Sequence, residues 1–385
     1  MNQLAEKIKA QGKKIFLEFG GQGAPYLKEL SRLFLEKNEL DEFFHTTFLI
    51  LQKHQQVIAS SPLYAEGFDL ENWLKDPAQA PAEEYLIRAN ISIPAIMITQ
   101  SANFLLLLKN GYPLAELAPL VCGATGHSQG VVAATMASIA ASGKDFLEVY
   151  EKFLEFQLFL GLRAQQAYPT WQIDEKTASE SLLLGDKDPA PMVAVVGYSK
   201  QEIESMVNSV NGENNLSDSE KIYTALYNTD DSTVISAPPA SLMLLRKKYL
   251  QEMKEQKKKF VYLRTTAPFH SPHIASCRAP FLKDLELIDF KYSASDLCFP
   301  VYSFSDGKNL QTRTNLAVSL FEEVALKRLF WKRAISPVVE NPQAGLILDF
   351  GPGKTIQKLT QSYLLNDTPQ IYCVSNPKDF RVIFD

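Results

Sequence analysis

The 385-residue sequence is poor in cysteine and lacks an apolar leader at its start. Its cysteines, Cys122, Cys277, Cys298 and Cys373, form no C-x-x-C pair and have no histidine at metal-ligand spacing, so we expect free thiols and no metal. The first residues, MNQLAEKIKAQGKKIF, are charged, unlike a signal peptide. The longest strongly apolar run, FLLLL from Phe104, is too short to span a bilayer. We therefore expect a cytoplasmic protein without a membrane partner.

An excess of positive charge is also missing. Lysine and arginine number 39 against 44 aspartates and glutamates, a formal net charge of -5. This balance argues against a surface dedicated to nucleic acid or anionic lipid, so no nucleic-acid partner is expected. One basic run does occur, RKKYLQEMKEQKKKF at 246–260. It predicts the solvated face of a helix, and the alternative is a docking patch for an acidic partner.

Glycine-rich turns divide the chain into strand-like and helix-like segments. KKIFLEFGGQG predicts a strand over Ile15–Phe19 that ends in a glycine turn, and LAPLVCGATGHSQG followed by VVAATMASIAAS predicts strand, turn and helix. From 191 to 265 the segments follow the order βαββαβ, the ferredoxin-like motif. We therefore predict an α/β protein with a large body, 1–190 and 266–385, that carries a small inserted subdomain at 191–265.

The segment GATGHSQG places Ser128 in the pattern G-x-S-x-G. A catalytic serine needs a base within hydrogen-bond reach and donors for the developing oxyanion. Gly126 and Gly130 permit a strained turn with a helix N-terminus close behind it, so that backbone N–H groups such as that of Gln129 point at the reacting oxygen. The alternative is a helix entry that merely contains a serine.

The sequence offers five histidines as the base. His45 and His54 lie in a helical stretch that looks solvated or structural, and adjacent side chains on a tight turn point apart, so His127 suits packing or hydrogen bonding better. His270 and His273 remain, both in the proline-stiffened segment APFHSPH. We favour His270; a loop histidine satisfied by the backbone is the alternative.

Four motifs, FGGQG, GHSQG, APFHSPH and LDFGPGK, occur in this order. Together they resemble the malonyl/acyl transferase family of fatty acid and polyketide synthesis. More narrowly, segments such as NWLKDPAQAPAEEYL, FLGLRAQQAYP, APMVAVVGYSKQEI and VYSFSDGKNL are similar to the acetyltransferase domain of the fungal-type fatty acid synthase β subunit. The resemblance implies an α/β-hydrolase-like large subdomain and an inserted ferredoxin-like small subdomain.

The resemblance also implies roles for individual residues. Ser128 would accept the acyl group, His270 would act as its base, and the backbone N–H groups of Gln22 and Gln129 would form the oxyanion hole. A backbone carbonyl, expected from the segment 346–350, would orient the histidine, so that Asp349 is structural.

Asn228 would line the cleft on the small-subdomain side, and His127 would lie beside the substrate. The implied reaction is ping-pong: acyl-CoA esterifies Ser128, and the phosphopantetheine thiol of an acyl carrier protein collects the acyl group. No metal or nucleotide cofactor is expected, because GGQG is too short for a dinucleotide fingerprint and GPGKT lacks P-loop spacing.

The residue before Gly161 bears on the choice of acyl group. Malonyl-selective relatives place an arginine there, whose planar fork pairs with the free carboxylate of malonate. The sequence has Leu160, and a buried carboxylate without a cation costs several kcal/mol. Acetyl is therefore expected over malonyl. Arg163, on nearly the same helical face, keeps malonyl transfer open as an alternative.

Two further functions compete with transacylation. A serine esterase or thioesterase would share the serine turn, but α/β-hydrolases place their histidine late in the chain and none follows His273. The second competing function is a non-catalytic module that docks a carrier protein. The presence of both Ser128 and His270 argues against a loss of activity.

Overall fold

A computed structural model describes residues 2–35, 39–169, 173–364 and 368–384. Within these ranges the strands are β1 Lys14–Phe19, β2 Val121–Gly126, β3 Met192–Val196, β4 Tyr223–Thr229, β5 Ser232–Ser236, β6 Lys259–Tyr262, β7 Val301–Tyr302, β8 Leu329–Phe330, β9 Ala344–Asp349 and β10 Gln370–Cys373. The α-helices are α1 Gln3–Ala10, α2 Leu27–Leu35, α3 Asp41–Lys53, α4 Gln55–Ser60, α5 Leu70–Lys75, α6 Glu83–Leu86, α7 Ala89–Lys109, α8 Leu114–Leu117, α9 Gly130–Ala140, α10 Phe146–Ala167, α11 Glu175–Leu183, α12 Lys200–Glu213, α13 Pro239–Glu255, α14 Arg278–Leu287, α15 Leu316–Ala325, α16 Trp331–Val339, α17 Thr355–Gln361 and α18 Pro377–Phe384.

The large body is built on a parallel sheet with the strand order β10-β9-β1-β2-β7. Its central strand β1 is almost fully buried, as expected of a parallel sheet covered on both faces. The carboxyl ends of parallel strands meet at one edge, where open α/β sheets bind their ligands. Here the turns GGQG, GHSQG and GPGK follow β1, β2 and β9, so all three converge on that edge.

Helix α7 forms the centre of the core. It is long and apolar enough to cross a membrane by length and composition, but 89% of its most apolar window is buried inside the fold. Helix α10 packs against it, and a Cβ on Gly161 would lie 2.5 Å from the carbonyl oxygen of Ala89. Glycine at 161 therefore allows the two helices to cross at close range.

The small subdomain has the predicted βαββαβ order, and its antiparallel strands run β6-β3-β5-β4. Ser199 caps α12 in a reciprocal capping box with Glu202. These four strands lie within 191–265. A fifth strand was not predicted: β8, from the body, pairs with β4 in parallel and completes the sheet.

Candidate active site

Ser128 lies at the turn between β2 and α9, so the predicted strand, turn and helix are confirmed. Its φ of 53° is in the left-handed region, a strained conformation for a residue with a Cβ. The flanking glycines are packed against backbone: a Cβ on Gly126 would lie 1.9 Å from the carbonyl carbon of Gly130, and one on Gly130 would lie 2.2 Å from the carbonyl oxygen of Phe19. The turn can form only with glycine at both positions.

His270 meets the serine from the segment that follows the small subdomain. Its Nε2 lies 2.8 Å from the Oγ of Ser128, its φ is 57°, and its side chain is buried. Burial lowers the pKa of His270 to about 4, although hydrogen bonding to the carbonyl of Lys327 works in the opposite direction. The imidazole is therefore neutral at pH 7, the state that a base requires.

The group that orients His270 differs from the prediction. Nδ1 lies 2.7 Å from the carbonyl oxygen of Lys327 and donates to it. The prediction that a carbonyl of residues 346–350 would orient the histidine is therefore wrong. Lys327 lies just beyond α15, whose C-cap is Leu326, so its carbonyl takes no part in the hydrogen bonds of the helix and can accept from His270. With Nδ1 protonated, the lone pair of Nε2 faces the serine.

The two proposed oxyanion donors occupy different turns. Gln22, after β1, is held by its side chain: Nε2 donates to the Oγ of Ser92 at 2.6 Å, and Oε1 accepts from the Oγ1 of Thr265 at 3.2 Å. Gln129 is held through its carbonyl, which accepts from the Nε2 of Gln157 at 3.2 Å. The backbone N–H of Gln22 and the backbone N–H of Gln129 each have no acceptor in the described part of the chain.

His127 and Asn228 join the serine turn to the small subdomain. The Nε2 of His127 lies 2.9 Å from the Oδ1 of Asn228, and the imidazole packs on Trp331 with ring centroids 5.4 Å apart. Burial lowers the pKa of His127 to about 4. His127 thus bonds to the small subdomain through its ring, in line with the hydrogen-bonding role expected from the sequence.

A cleft of about 280 Å³ opens beside Ser128, between the body and the small sheet. Gln22, His127, Asn228 and His270 all line it. Most of the remaining wall is apolar: Met192, Ala194, Leu226, Val234, Leu263, Phe269, Pro352, Ile356 and Leu359. One cation, Arg264, reaches the cleft among the described lining residues, and it is paired with Glu83.

Leu160 and Arg163 lie elsewhere on α10. Leu160 is buried and is not among the described residues that line the cleft. Arg163 forms a bidentate ion pair with Asp284, with distances of 2.6 Å from Nε to Oδ2 and 2.7 Å from Nη2 to Oδ1. Its remaining Nη1 donates to Gln166 at 2.7 Å. The guanidinium is thus fully engaged away from the serine.

The other candidate residues, His54, His273 and Asp349, form hydrogen bonds that stabilise the fold away from Ser128. His54 is buried with its Nε2 2.8 Å from the Oε1 of Glu155, and His273 contacts the carbonyl of Lys221 at 2.8 Å. Asp349 is fully buried and accepts from the backbone N–H of Gly351 at 2.8 Å and from that of Gln357, in α17, at 3.0 Å. Burial raises the pKa of its carboxyl to about 7.

Sequence reasoning missed three contributors to this geometry: the carbonyl of Lys327, the amide of Gln157 and the ring of Trp331. Each is distant in sequence from the residue it supports. A backbone carbonyl in particular is independent of residue type, so no motif could have indicated Lys327. The segment KRLFWKR, in which a Lys-Arg pair stands on each side of LFW, is the sequence feature that contains both Lys327 and Trp331.

The fold, an α/β body with an inserted ferredoxin-like subdomain, is also that of solved structures. The malonyl CoA-acyl carrier protein transacylase FabD from Coxiella burnetii matches with a TM-score of 0.67 at 17% identity and covers 97% of both chains. A type II polyketide carrier protein complex with its malonyl-transacylase, PlMCAT:AntF, matches with a TM-score of 0.63 at 17% identity over 96% of this chain and 99% of that one. The predicted pairing of an α/β body with a ferredoxin-like insertion is confirmed.

The family follows from the sequence itself. Residues 17–270 match the family described as starter unit:ACP transacylase in aflatoxin biosynthesis, and the chain belongs to this family. The fatty acid synthase beta subunit TOXC of Cochliobolus carbonum is 30% identical over 362 residues, and the beta subunit of Saccharomyces cerevisiae is 27% identical over 355. These matches cover 88% and 87% of this chain but 17% of each relative. The resemblance noted in the motifs is confirmed.

Proposed function

We propose that this chain transfers an acyl group from coenzyme A to the phosphopantetheine thiol of an acyl carrier protein, through an acyl-serine at Ser128. The observation that carries the proposal is the 2.8 Å contact between Ser128 Oγ and a neutral His270 whose Nδ1 is held by a carbonyl. The family match and the carrier-protein complex of a structural neighbour support the acceptor.

The first half of the reaction forms the ester. The hydroxyl of Ser128 gives its proton to the Nε2 of His270 while Oγ attacks the thioester carbonyl. The N–H groups of Gln22 and Gln129 donate to the oxyanion of the tetrahedral intermediate. When the C–S bond breaks, the departing thiolate takes the proton from Nε2, and CoA leaves as the free thiol.

The second half repeats these steps with a new thiol. The phosphopantetheine thiol gives its proton to Nε2 and attacks the ester, and the C–O bond to Ser128 breaks. Oγ then recovers the proton from His270. No oxidant, metal or further cofactor is needed, because every proton and acyl group is supplied by the two substrates and returned.

We further propose that the acyl group is uncharged, with acetyl as the first choice. The wall of the cleft beside Ser128 is mostly apolar, and Arg163 is held by Asp284. Leaving a carboxylate buried without a cation costs several kcal/mol, which corresponds to a difference of orders of magnitude in rate. Malonyl is the second candidate, because Arg264 reaches the cleft.

The test is intact-mass analysis of the protein after brief exposure to a panel of acyl-CoAs. We expect an acetyl adduct on Ser128 to form faster than a malonyl adduct, and to disappear when holo-carrier protein is added. Ser128→Ala should show no adduct. A preferred malonyl adduct would overturn the acyl assignment, and rapid loss of the adduct as free acid without any thiol would indicate an esterase. An adduct that forms equally on Ser128→Ala would remove the serine from the mechanism.

A further inference from the structure

Helix α7 is apolar and almost entirely buried, yet it carries polar side chains that are kept from water. Two of them, Ser92 and Gln100, are eight positions apart, a spacing that places them on one side of the helix. A buried polar group is costly unless it forms hydrogen bonds. The partners of Ser92 and Gln100 therefore indicate what these side chains do.

The amide of Gln100 bridges two turns at the edge of the parallel sheet. Its Nε2 donates to the carbonyl oxygen of Gly20 at 2.7 Å and to that of Gly351 at 2.8 Å. Gly20 begins the turn GGQG after β1, and Gly351 begins the turn GPGK after β9. Because both neighbours are acceptors, only the nitrogen of the amide fits between them. Both of its hydrogens thus tie the two turns together.

Gln100 supplies a donor that the strands themselves lack. In the ladder between β9 and β1, the N–H of Phe350 donates to the carbonyl of Glu18 at 2.9 Å. A regular parallel ladder would continue with the N–H of residue 352 on the carbonyl of Gly20. Residue 352 is a proline, which has no N–H. The amide of Gln100 takes the place of this donor and holds the carbonyl of Gly20.

The turn that Gln100 holds packs directly on the nucleophile. A Cβ on Gly21 would lie 2.8 Å from the carbonyl oxygen of His127 and 3.4 Å from the Cβ of Ser128. The next residue is Gln22, whose N–H is one of the two proposed oxyanion donors. Its side chain is a second point of attachment, because its Nε2 donates to the Oγ of Ser92 at 2.6 Å. Helix α7 therefore holds the turn on both sides of Gly21.

We propose that Gln100 and Ser92 are positioning residues, which set the N–H of Gln22 where the oxyanion forms. Neither side chain is among the described residues that line the cleft, so both act through the backbone of the turn. A misplacement of about 1 Å can cost on the order of 100-fold in rate. The inference rests on the proposed function, since it concerns the transition state of that reaction. The alternative is that the two side chains only stabilise the fold.

The experiment compares two variants of α7 with a matched control. Gln100→Met keeps the length of the side chain and removes the donor. Ser92→Ala removes a single hydroxyl, and it decides the question if Gln100→Met does not fold. The control is Ser138→Ala on α9. Ser138 is also fully buried and also holds a loop, because its Oγ donates to the carbonyl of Phe299 at 2.7 Å and accepts from the N–H of Phe299 at 3.1 Å.

The first measurement separates the chemical step from substrate binding. Acetylation of Ser128 is followed over one turnover at increasing concentrations of acetyl-CoA, by quenching and intact-mass analysis. We expect the maximal rate to fall roughly 10- to 100-fold in Gln100→Met and about 3- to 10-fold in Ser92→Ala. The half-saturating concentration should stay within about twofold of wild type, because the donor acts on the transition state. Ser138→Ala should lower the melting temperature and keep the maximal rate within about twofold.

The second measurement reports on the hydrogen bonds of the oxyanion hole. Donors in the hole polarise the ester carbonyl of the acetyl-enzyme and lower its stretching frequency. The band is recorded by infrared difference spectroscopy of acetyl-enzyme made with and without an isotopic label at the carbonyl carbon. We expect the band to move to higher frequency in Gln100→Met and Ser92→Ala. The band of Ser138→Ala should coincide with that of wild type.

The possible results distinguish this inference from the proposed function. Unchanged rates and bands in the α7 variants would overturn the inference and leave the function intact. Equal losses of rate in Ser138→Ala, or a raised half-saturating concentration with an unchanged band, would also overturn it, because either result would show a structural role. If wild-type protein forms no acetyl-serine at all, the proposed function fails, and the inference fails with it.

Discussion

The lowered pKa of His270 leads to a specific expectation for the acid side of the reaction. Acylation of Ser128 requires a neutral imidazole, and a histidine of ordinary pKa, about 6.5, is only about 3% neutral at pH 5. With a pKa of about 4, His270 is about nine-tenths neutral at that pH. The rate at pH 5 should therefore be close to its value at pH 7, about 30-fold above that expected for an unperturbed base.

The assay is single-turnover acylation between pH 3.5 and 8, followed by quenching and intact-mass analysis. An acetyl thioester of pantetheine without phosphate serves as donor, so that the substrate does not titrate in this range. We expect kcat/KM to be flat from pH 8 to about 5 and to fall below that, since protonation removes the base. Intrinsic fluorescence at each pH confirms that the chain remains folded.

Asp349 provides the control, because its own pKa of about 7 lies in the middle of the profile. Its carboxyl accepts from the loop that carries Pro352, which lines the cleft. An inflection near pH 7 that disappears in Asp349→Asn would belong to this carboxyl. An inflection between 6 and 7 in both proteins would refute the reasoning about His270.

Two further expectations concern the framework of the site. Gly130→Ala should prevent correct folding, since its Cβ would lie 2.2 Å from the carbonyl oxygen of Phe19, whereas Gly212→Ala in α12 meets nothing within 4 Å and should be neutral or more stable by up to about 1 kcal/mol. Equal melting temperatures for both variants would contradict the packing argument. Arg163→Met should cost about 2–4 kcal/mol in denaturant unfolding, because it leaves the nearly buried Asp284 uncompensated, and Arg163→Met/Asp284→Asn should recover part of the loss. The acetyl-to-malonyl ratio should not change; a changed ratio would mean that Arg163 reaches the cleft.

Features governed by local sequence could be predicted. The serine turn depends on two glycines within five residues, and the small subdomain on alternating segments with a recognisable cap at Ser199. His270 could be singled out because few histidines were available and the others had evident surroundings. In each case the physical cause lies within a short stretch of chain.

Features that depend on distant packing could not be predicted in the same way. The acceptor for His270 is a backbone carbonyl, to which the side chain of Lys327 contributes nothing. Arg163 looked available on its helix because its partner, Asp284, lies 121 residues away. Leu160 was predicted to line the substrate pocket from a comparison of spacing alone. In the structure it is buried and does not line the cleft.

The strand β8 has a consequence for attempts to exchange the small subdomain between relatives. Only two residues long, it covers the outer edge of β4, and Phe330 stacks on Tyr227 with ring centroids 4.9 Å apart. Residues 191–265 taken without β8 would leave that edge with unpaired backbone groups, a template for aggregation. A chimera that carries residues 327–333 with the insert would keep the edge closed, and it would transplant the carbonyl that orients His270 together with the sheet.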